Sequence, residues 1–224
     1  MRTALQVTVT CLLSFGLFAL ALFWPAGTFD YWEAWLFLGI YLALSVIFTV
    51  YIGLTNPAVL RRRMNAGPRH ESRPAQQVIS AGIVLAFAAL LVVSALDHRF
   101  GWSNVPTPVV AIGNLLVVAG LSIAMVVVNQ NVYAAANITV EADQAVISTG
   151  LYGLVRHPMY FGALVMLIGV PLALGSFWAL LIDGFYLVLF AARIFDEEKA
   201  LAEELTGYQQ YTQKVRSRLV PGVW

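Results

Sequence analysis

A chain of 224 residues that is 60% hydrophobic and only 11% charged, with a mean hydropathy of +0.78, departs far from the roughly 25% charged residues of an average soluble domain and reads as a polytopic membrane protein. Thirteen basic against twelve acidic residues leave a net charge of +1, which excludes a nucleic-acid-binding domain and a disordered chain. The single cysteine, Cys11, excludes an internal disulfide, a Cys-based zinc cluster and a secreted disulfide scaffold.

A helix crosses the bilayer with about 20 mostly apolar residues, because the hydrocarbon core is about 30 Å thick. Residues 4–24, 34–54, 75–96 and 107–128 meet that requirement without one charge. The first run follows Arg2, yet it exceeds the ~7–15 apolar residues of a signal peptide and closes on no A-x-A site, so it is expected to stay as an anchor. Residues 158–192 are too long for one helix and carry a single charge, Asp183. Pro171 and the Gly175-Ser176 pair divide them into a hairpin, 159–174 and 177–195. The expected fold is all-α and integral to the membrane: six transmembrane helices including this C-terminal hairpin, then a cytoplasmic amphipathic helix. Every Lys and Arg except Arg99 falls on one side of that arrangement, which places both termini and the loops 55–74, 129–157 and 196–224 in the cytoplasm. Arg61, Arg62 and Arg63 serve there as a topology signal and are able to hold anionic headgroups at ~1 kcal/mol per basic residue.

Polar and turn-forming residues concentrate between Gln144 and Tyr160. Gly150 and Gly153 permit turns, and Pro158 suits the first turn of a helix, so Arg156 and His157 sit at a helix entrance. Free N–H groups at that entrance favour an anionic or strongly polar ligand, to which Tyr152, His157 and Tyr160 add donors and aromatic faces. The bland alternative is a belt of interfacial Tyr and Arg. Further on, Arg193 and Glu197 are spaced to share a helix face and pair. The hairpin returns them toward Arg156–Tyr160, so two distant polar sets are expected to line one cytoplasmic pocket. The amphipathic tail from Glu203 to Tyr211 either folds over that pocket or lies on the membrane. Asp183, roughly 15 Å from Arg193 along the helix, is expected to lie outside the pocket and to make a hydrogen bond between helices. No phosphate-binding loop, dinucleotide fingerprint, H-E-x-x-H or G-x-S-x-G is present, and His70, His98 and His157 lie in three separate loops, so no metal site is expected.

Residues 137–224 resemble the isoprenylcysteine carboxyl methyltransferase family, integral membrane enzymes that use S-adenosylmethionine. The matching elements are T-G-x-Y at Thr149–Tyr152, R-H-P-x-Y at Arg156–Tyr160, R-x-x-x-E-E at Arg193–Glu198, G-Y-x-x-Y at Gly207–Tyr211 and a closing R-L-V-P at Arg218–Pro221. The resemblance implies that hairpin and tail enclose the cofactor, with Gln144, Ala145, Val146, Ile147, Gly150, Tyr152, His157, Pro158, Met159, Tyr160, Glu197 and Glu198 at cofactor-binding positions. Gln144 stands where many members have histidine, and Asn137 where some have glutamine. Arg193 matches a position linked to the substrate and is assigned to hold an acceptor carboxylate. The chain is then one membrane domain, with about four spans in residues 1–135 and the cofactor segment, hairpin and tail in 136–224. The compact size resembles prokaryotic members, which implies an inner-membrane location if the host is bacterial. The expected partners are the bilayer and a lipophilic or prenylated substrate. The rival readings are phospholipid N-methylation, with Arg61–Arg63 on the headgroup, an NADPH-dependent sterol-reductase-like enzyme, and a membrane scaffold or small transporter that uses Asp183.

Overall fold

The computed structural model describes residues 2–64, 71, 73–133 and 144–224, and among them it is helical without strands. The order is α1 (Arg2–Ala26), α2 (Trp32–Thr55), α3 (Pro57–Met64), α4 (Pro74–Phe100), α5 (Thr107–Gln130), a 3-10 turn (Gly150–Gly153), α6 (Pro158–Ala173), α7 (Leu180–Glu204) and α8 (Tyr208–Lys214). Residues Val9–Ala26 of α1, and the whole of α2, α4 and α5, are long and apolar enough to cross a membrane. α6 is a shorter apolar helix.

Helix boundaries follow from local chemistry. Proline occupies the first turn of α4, α5 and α6, where its missing N–H has no helical partner to lose. α4 runs a turn beyond its apolar stretch and stops where Gly101 adopts a left-handed conformation (φ 64°), donating its N–H to the Asp97 carbonyl at 2.8 Å. Pro171, expected to break the hairpin, lies inside the last turns of α6 instead. The reversal is made by Gly175 (φ 69°) and Ser176. The Ser176 hydroxyl donates to the buried Asp97 carboxylate, which also accepts from the Ser103 amide and hydroxyl at 2.6 Å each. Tyr31 closes the same end by donating to the Leu174 carbonyl at 2.6 Å.

Leu12, Leu17, Leu85 and Leu115 remain exposed on the outer faces of the long helices. With apolar surface turned outward, helix association in lipid relies on close backbone approach at small residues. α5 and α6 show this. Gly113 and Gly120 lie two turns apart on one face, as do Gly162 and Gly169, and they pair in antiparallel order. A Cβ at Gly120 would fall 2.5 Å from the Gly162 carbonyl oxygen, and one at Gly169 2.7 Å from that of Gly113. The side chains of Phe37, Leu90, Val170, Tyr186 and Phe190 fill the core between α2, α4, α6 and α7.

One expectation changes here. Asp183 is buried, and neither carboxyl oxygen has a hydrogen-bond partner among the described residues, so the expected interhelical bond is not made. The neighbouring Tyr186 makes that link, donating to the Ile83 carbonyl of α4 at 3.1 Å. The arginine cluster in α3 also packs against protein: Arg62 donates to the Val132 carbonyl at 2.9 Å, and Arg63 lies over the Phe48 ring at 5.5 Å.

Candidate active site

The segment leading into α6 is held from three directions. Residues 144–148 run without helix, and Gly150 turns the chain with φ 59° while the Gln130 side chain fills the space a Cβ would need. Gln130 Oε1 accepts from the Leu151 amide at 2.9 Å, and Asn131 Nδ2 donates to the Tyr152 hydroxyl at 3.1 Å. The Tyr211 hydroxyl of α8 donates to the Tyr152 carbonyl at 2.7 Å. Burial pushes the Tyr152 phenol up to about 12, against the lowering bond from Asn131.

Beyond the turn, the chain pairs with the C-terminal tail. The amides of Arg156 and His157 donate to the carbonyls of Ser217 and Arg218 at 3.0 and 2.8 Å, and Arg156 Nη1 donates to the carbonyls of Val215 and Arg216 at 2.9 Å each. Glu198 on α7 completes the clamp. Its carboxylate accepts from Arg156 Nε at 2.7 Å and Arg218 Nε at 2.9 Å, and His157 Nε2 lies 3.3 Å away. Burial alone would raise this carboxyl, but hydrogen bonds from His157, Arg156 and Arg218 hold it down at about 2.

One helical turn deeper on α7 lies a second polar cluster. Arg193, 5% exposed, donates through Nε to the Tyr160 hydroxyl at 2.9 Å, through Nη1 to Gln76 Oε1 at 2.8 Å and Ser80 Oγ at 2.6 Å, and through Nη2 to Glu71 Oε1 at 2.7 Å. The Tyr160 hydroxyl in turn donates to Glu197 Oε2 at 2.7 Å. The direct Arg193–Glu197 pair expected from helical spacing is thus a relay through Tyr160, whose ring packs on Phe190 at 5.3 Å. Arg73 and Gln76 bond Asp196 at 3.2 and 2.6 Å and fasten the start of α4 to this turn of α7.

His157, Tyr160, Arg193, Glu197 and Glu198 therefore come together, and buried Pro158 starts α6 beside them. Val146 joins the apolar cluster of Leu205, Tyr208, Tyr211 and Val215, which brings the 144–147 stretch against α8. Gly150 and Tyr152 reach this assembly through Gln130 and Tyr211. The Met159 side chain points elsewhere, packing with Ile52, Val59 and Val128. Asn137 lies outside the described residues. Three members of the Arg193 cluster, Glu71, Gln76 and Ser80, were not expected. The available signal was that Glu71 is the sole acidic residue in the basic loop 55–74.

Comparison with known proteins covers part of the chain that builds these clusters. Residues 110–203 match the isoprenylcysteine carboxyl methyltransferase (ICMT) family. The motifs at Thr149–Tyr152, Arg156–Tyr160 and Arg193–Glu198 fall inside this match, and those at Gly207–Tyr211 and Arg218–Pro221 fall beyond it. A relative from Schizosaccharomyces pombe, a protein-S-isoprenylcysteine O-methyltransferase, is 38% identical over 79 residues, which are 34% of this chain and 33% of the relative. No solved structure matches. With its long apolar helices, the chain is an integral membrane protein, and its stretch from α5 to near the end of α7 is similar to the ICMT family.

Proposed function

We propose that this protein is an integral membrane methyltransferase that moves a methyl group from S-adenosylmethionine to the carboxylate of an isoprenylcysteine-like lipophilic acceptor. The observation that carries the reading is the Glu197–Tyr160–Arg193 relay set beside the Glu198 clamp, within the segment that matches the ICMT family.

The residues fit such a cofactor. The Tyr208 hydroxyl is buried with no partner among the described residues, and Val146 of the non-helical 144–147 stretch packs against the same cluster. A buried orphan hydroxyl costs about 1–3 kcal/mol unless a ligand satisfies it. In this reading Gln144, Ala145, Val146, Ile147, Gly150, Tyr152, His157, Pro158, Tyr160 and Glu197 hold the cofactor, Met159 lies beside them with its side chain turned away, and Glu198 keeps the tail closed over it. When bound, S-adenosylmethionine supplies an electrophilic methyl group on a sulfonium. The protein then has to exclude water, hold the partners at near-attack distance and orient them. A carboxylate acceptor is ionised at neutral pH and requires no general base. Arg193 orients it through charge-assisted hydrogen bonds. Tyr160, fixed between Glu197 and Arg193, keeps that guanidinium and the cofactor pocket in register.

Six crossings complete the proposal, with α6 and α7 as the last two, both termini and the active site cytoplasmic, and the inner membrane as location if the host is bacterial. α8 is the cytoplasmic amphipathic helix. Calorimetric titration with S-adenosylhomocysteine tests the cofactor assignment. Saturable binding is expected, lost in the His157→Ala, Tyr160→Ala double variant and absent with NADPH; a folded wild-type protein that binds only NADPH rejects it.

A further inference from the structure

The carboxylate bound to Arg193 in this structure belongs to the protein itself. Glu71 reaches the guanidinium from the connection between α3 and α4, with its side chain 1% exposed and Oε1 2.7 Å from Nη2. Nε and Nη1 are committed to Tyr160, Gln76 and Ser80. Arg193 thus presents no open edge for a two-pronged grip on a second carboxylate while Glu71 is in place. Seating an acceptor carboxylate beside Glu71 would bury a second anion against the same guanidinium, an arrangement that disfavours ionisation of both. Exchanging one carboxylate for the other leaves the buried charge unchanged.

We propose that Glu71 is an internal competitor for the acceptor's carboxylate: it occupies Arg193 in the resting protein and leaves when a carboxylate acceptor binds, so that it sets the threshold and the charge selectivity of acceptor binding. The inference rests on the proposed assignment of Arg193 to the acceptor and deepens it. Glu71 lies outside residues 110–203, so the device is a property of this chain's N-terminal helices and not of the matched segment. The Arg73–Asp196 pair, at 3.2 Å, holds the start of α4 against α7 when Glu71 swings out. A neutral acceptor, such as the methyl ester product or a carboxamide, has no charge with which to displace Glu71, which favours product release.

The test uses the full-length protein in proteoliposomes with an S-farnesyl thioether carboxylic acid as acceptor. In Glu71→Gln the acceptor KM is expected to fall about tenfold, the discrimination between the acid and its carboxamide in competitive binding to shrink, and S-adenosylhomocysteine affinity to stay unchanged. A raised KM, or lost turnover with cofactor affinity intact, would overturn the proposal and make Glu71 a support for Arg193. Hydrogen exchange on the unmodified protein gives a second reading that needs no variant. Peptides spanning residues 71–80 should exchange faster with the acid bound and not with the carboxamide; equal behaviour with both ligands overturns the proposal. Failure of the underlying reading looks different, because the unmodified protein would then methylate no acid at all, and both assignments fall together.

Discussion

The two polar clusters on α7 are one turn apart and built in opposite senses. Around Glu198 a carboxylate sits at the centre, and Arg156, Arg218 and His157 converge on it from two other segments. Around Arg193 a cation sits at the centre, and the surrounding acceptors among the described residues include a phenol, an amide, a hydroxyl and a carboxylate. The first arrangement has more positive partners than its single anion requires, so losing any one still leaves the carboxylate paired. Among the described residues Glu71 is the carboxylate in direct contact with Arg193, and in the proposed reading another carboxylate takes its place. Saturation suits Glu198 to a clamp between helix, entrance and tail; the proposed exchange of carboxylates suits Arg193 to acceptor binding.

Removing the centre of the clamp should have the largest effect. Glu198→Ala leaves Arg156 buried without its carboxylate, and breaking a buried pair from one side costs about 3–5 kcal/mol. A pronounced drop in thermal stability in detergent, accompanied by proteolytic release of the tail after residue 214, is expected. A variant as stable as the parent would show that the main-chain bonds to Ser217 and Arg218 hold the tail without Glu198.

Removing the centre of the second cluster should spare the fold and strike turnover. In a Glu71→Gln background, so that no bare carboxylate stays buried, Arg193→Ala should reduce methyl transfer by about 10²-fold or more, the cost of losing a positioning contact. S-adenosylhomocysteine binding should persist. Retained transfer would reject the role of Arg193.

Much of this contrast was hidden from the sequence. R-H-P-x-Y and R-x-x-x-E-E announced themselves because turn residues, a proline at a helix start and charges beside an apolar run are local features. The four long apolar runs were legible for the same reason. Helical spacing also predicted an Arg193–Glu197 pair, but spacing describes one helix alone, and Tyr160 of another helix enters between them. Glu71 meets Arg193 across 122 positions, a pairing set by how α4 packs on α7 and carried by no local pattern. Gly113, Gly120, Gly162 and Gly169 read individually as tolerated small residues; only the antiparallel approach of α5 and α6 gives their two-turn spacing a meaning. Asp183 misled in the other direction, since an acid in an apolar helix invites a partner and the bond to α4 came from Tyr186.

Acid sharpens the comparison at smaller amplitude. The Glu198 carboxyl is held at about 2 against an ordinary value of 4.5, so in the folded state it stays ionised where the unfolded chain takes up a proton. Its stabilising contribution is complete above the ordinary value and declines as pH falls through that value toward the folded one. Between about pH 5 and pH 3, the melting temperature of the parent should therefore fall more steeply than that of Glu198→Gln. Parallel slopes would mean that other carboxylates govern acid stability.

The smallest structural effect belongs to Tyr208→Phe, and for that reason it separates ligand binding from folding most cleanly. The Tyr208 ring is buried against Leu205, Tyr211 and Val215, so its packing survives the substitution, while its hydroxyl has no partner among the described residues. Deleting a hydroxyl that bonds to nothing removes a desolvation cost and no bond, so stability should stay within about 0.5 kcal/mol of the parent or rise slightly. If that hydroxyl waits for the cofactor, affinity for S-adenosylhomocysteine should drop by about three- to tenfold, the worth of one hydrogen bond of about 0.5–1.5 kcal/mol. Unchanged affinity with unchanged stability would place the cofactor away from α8 and leave the tail as a clamp alone. Lower stability would instead mean that the hydroxyl is bonded in solution and that the contrast between a saturated clamp and an open pocket has been drawn too sharply.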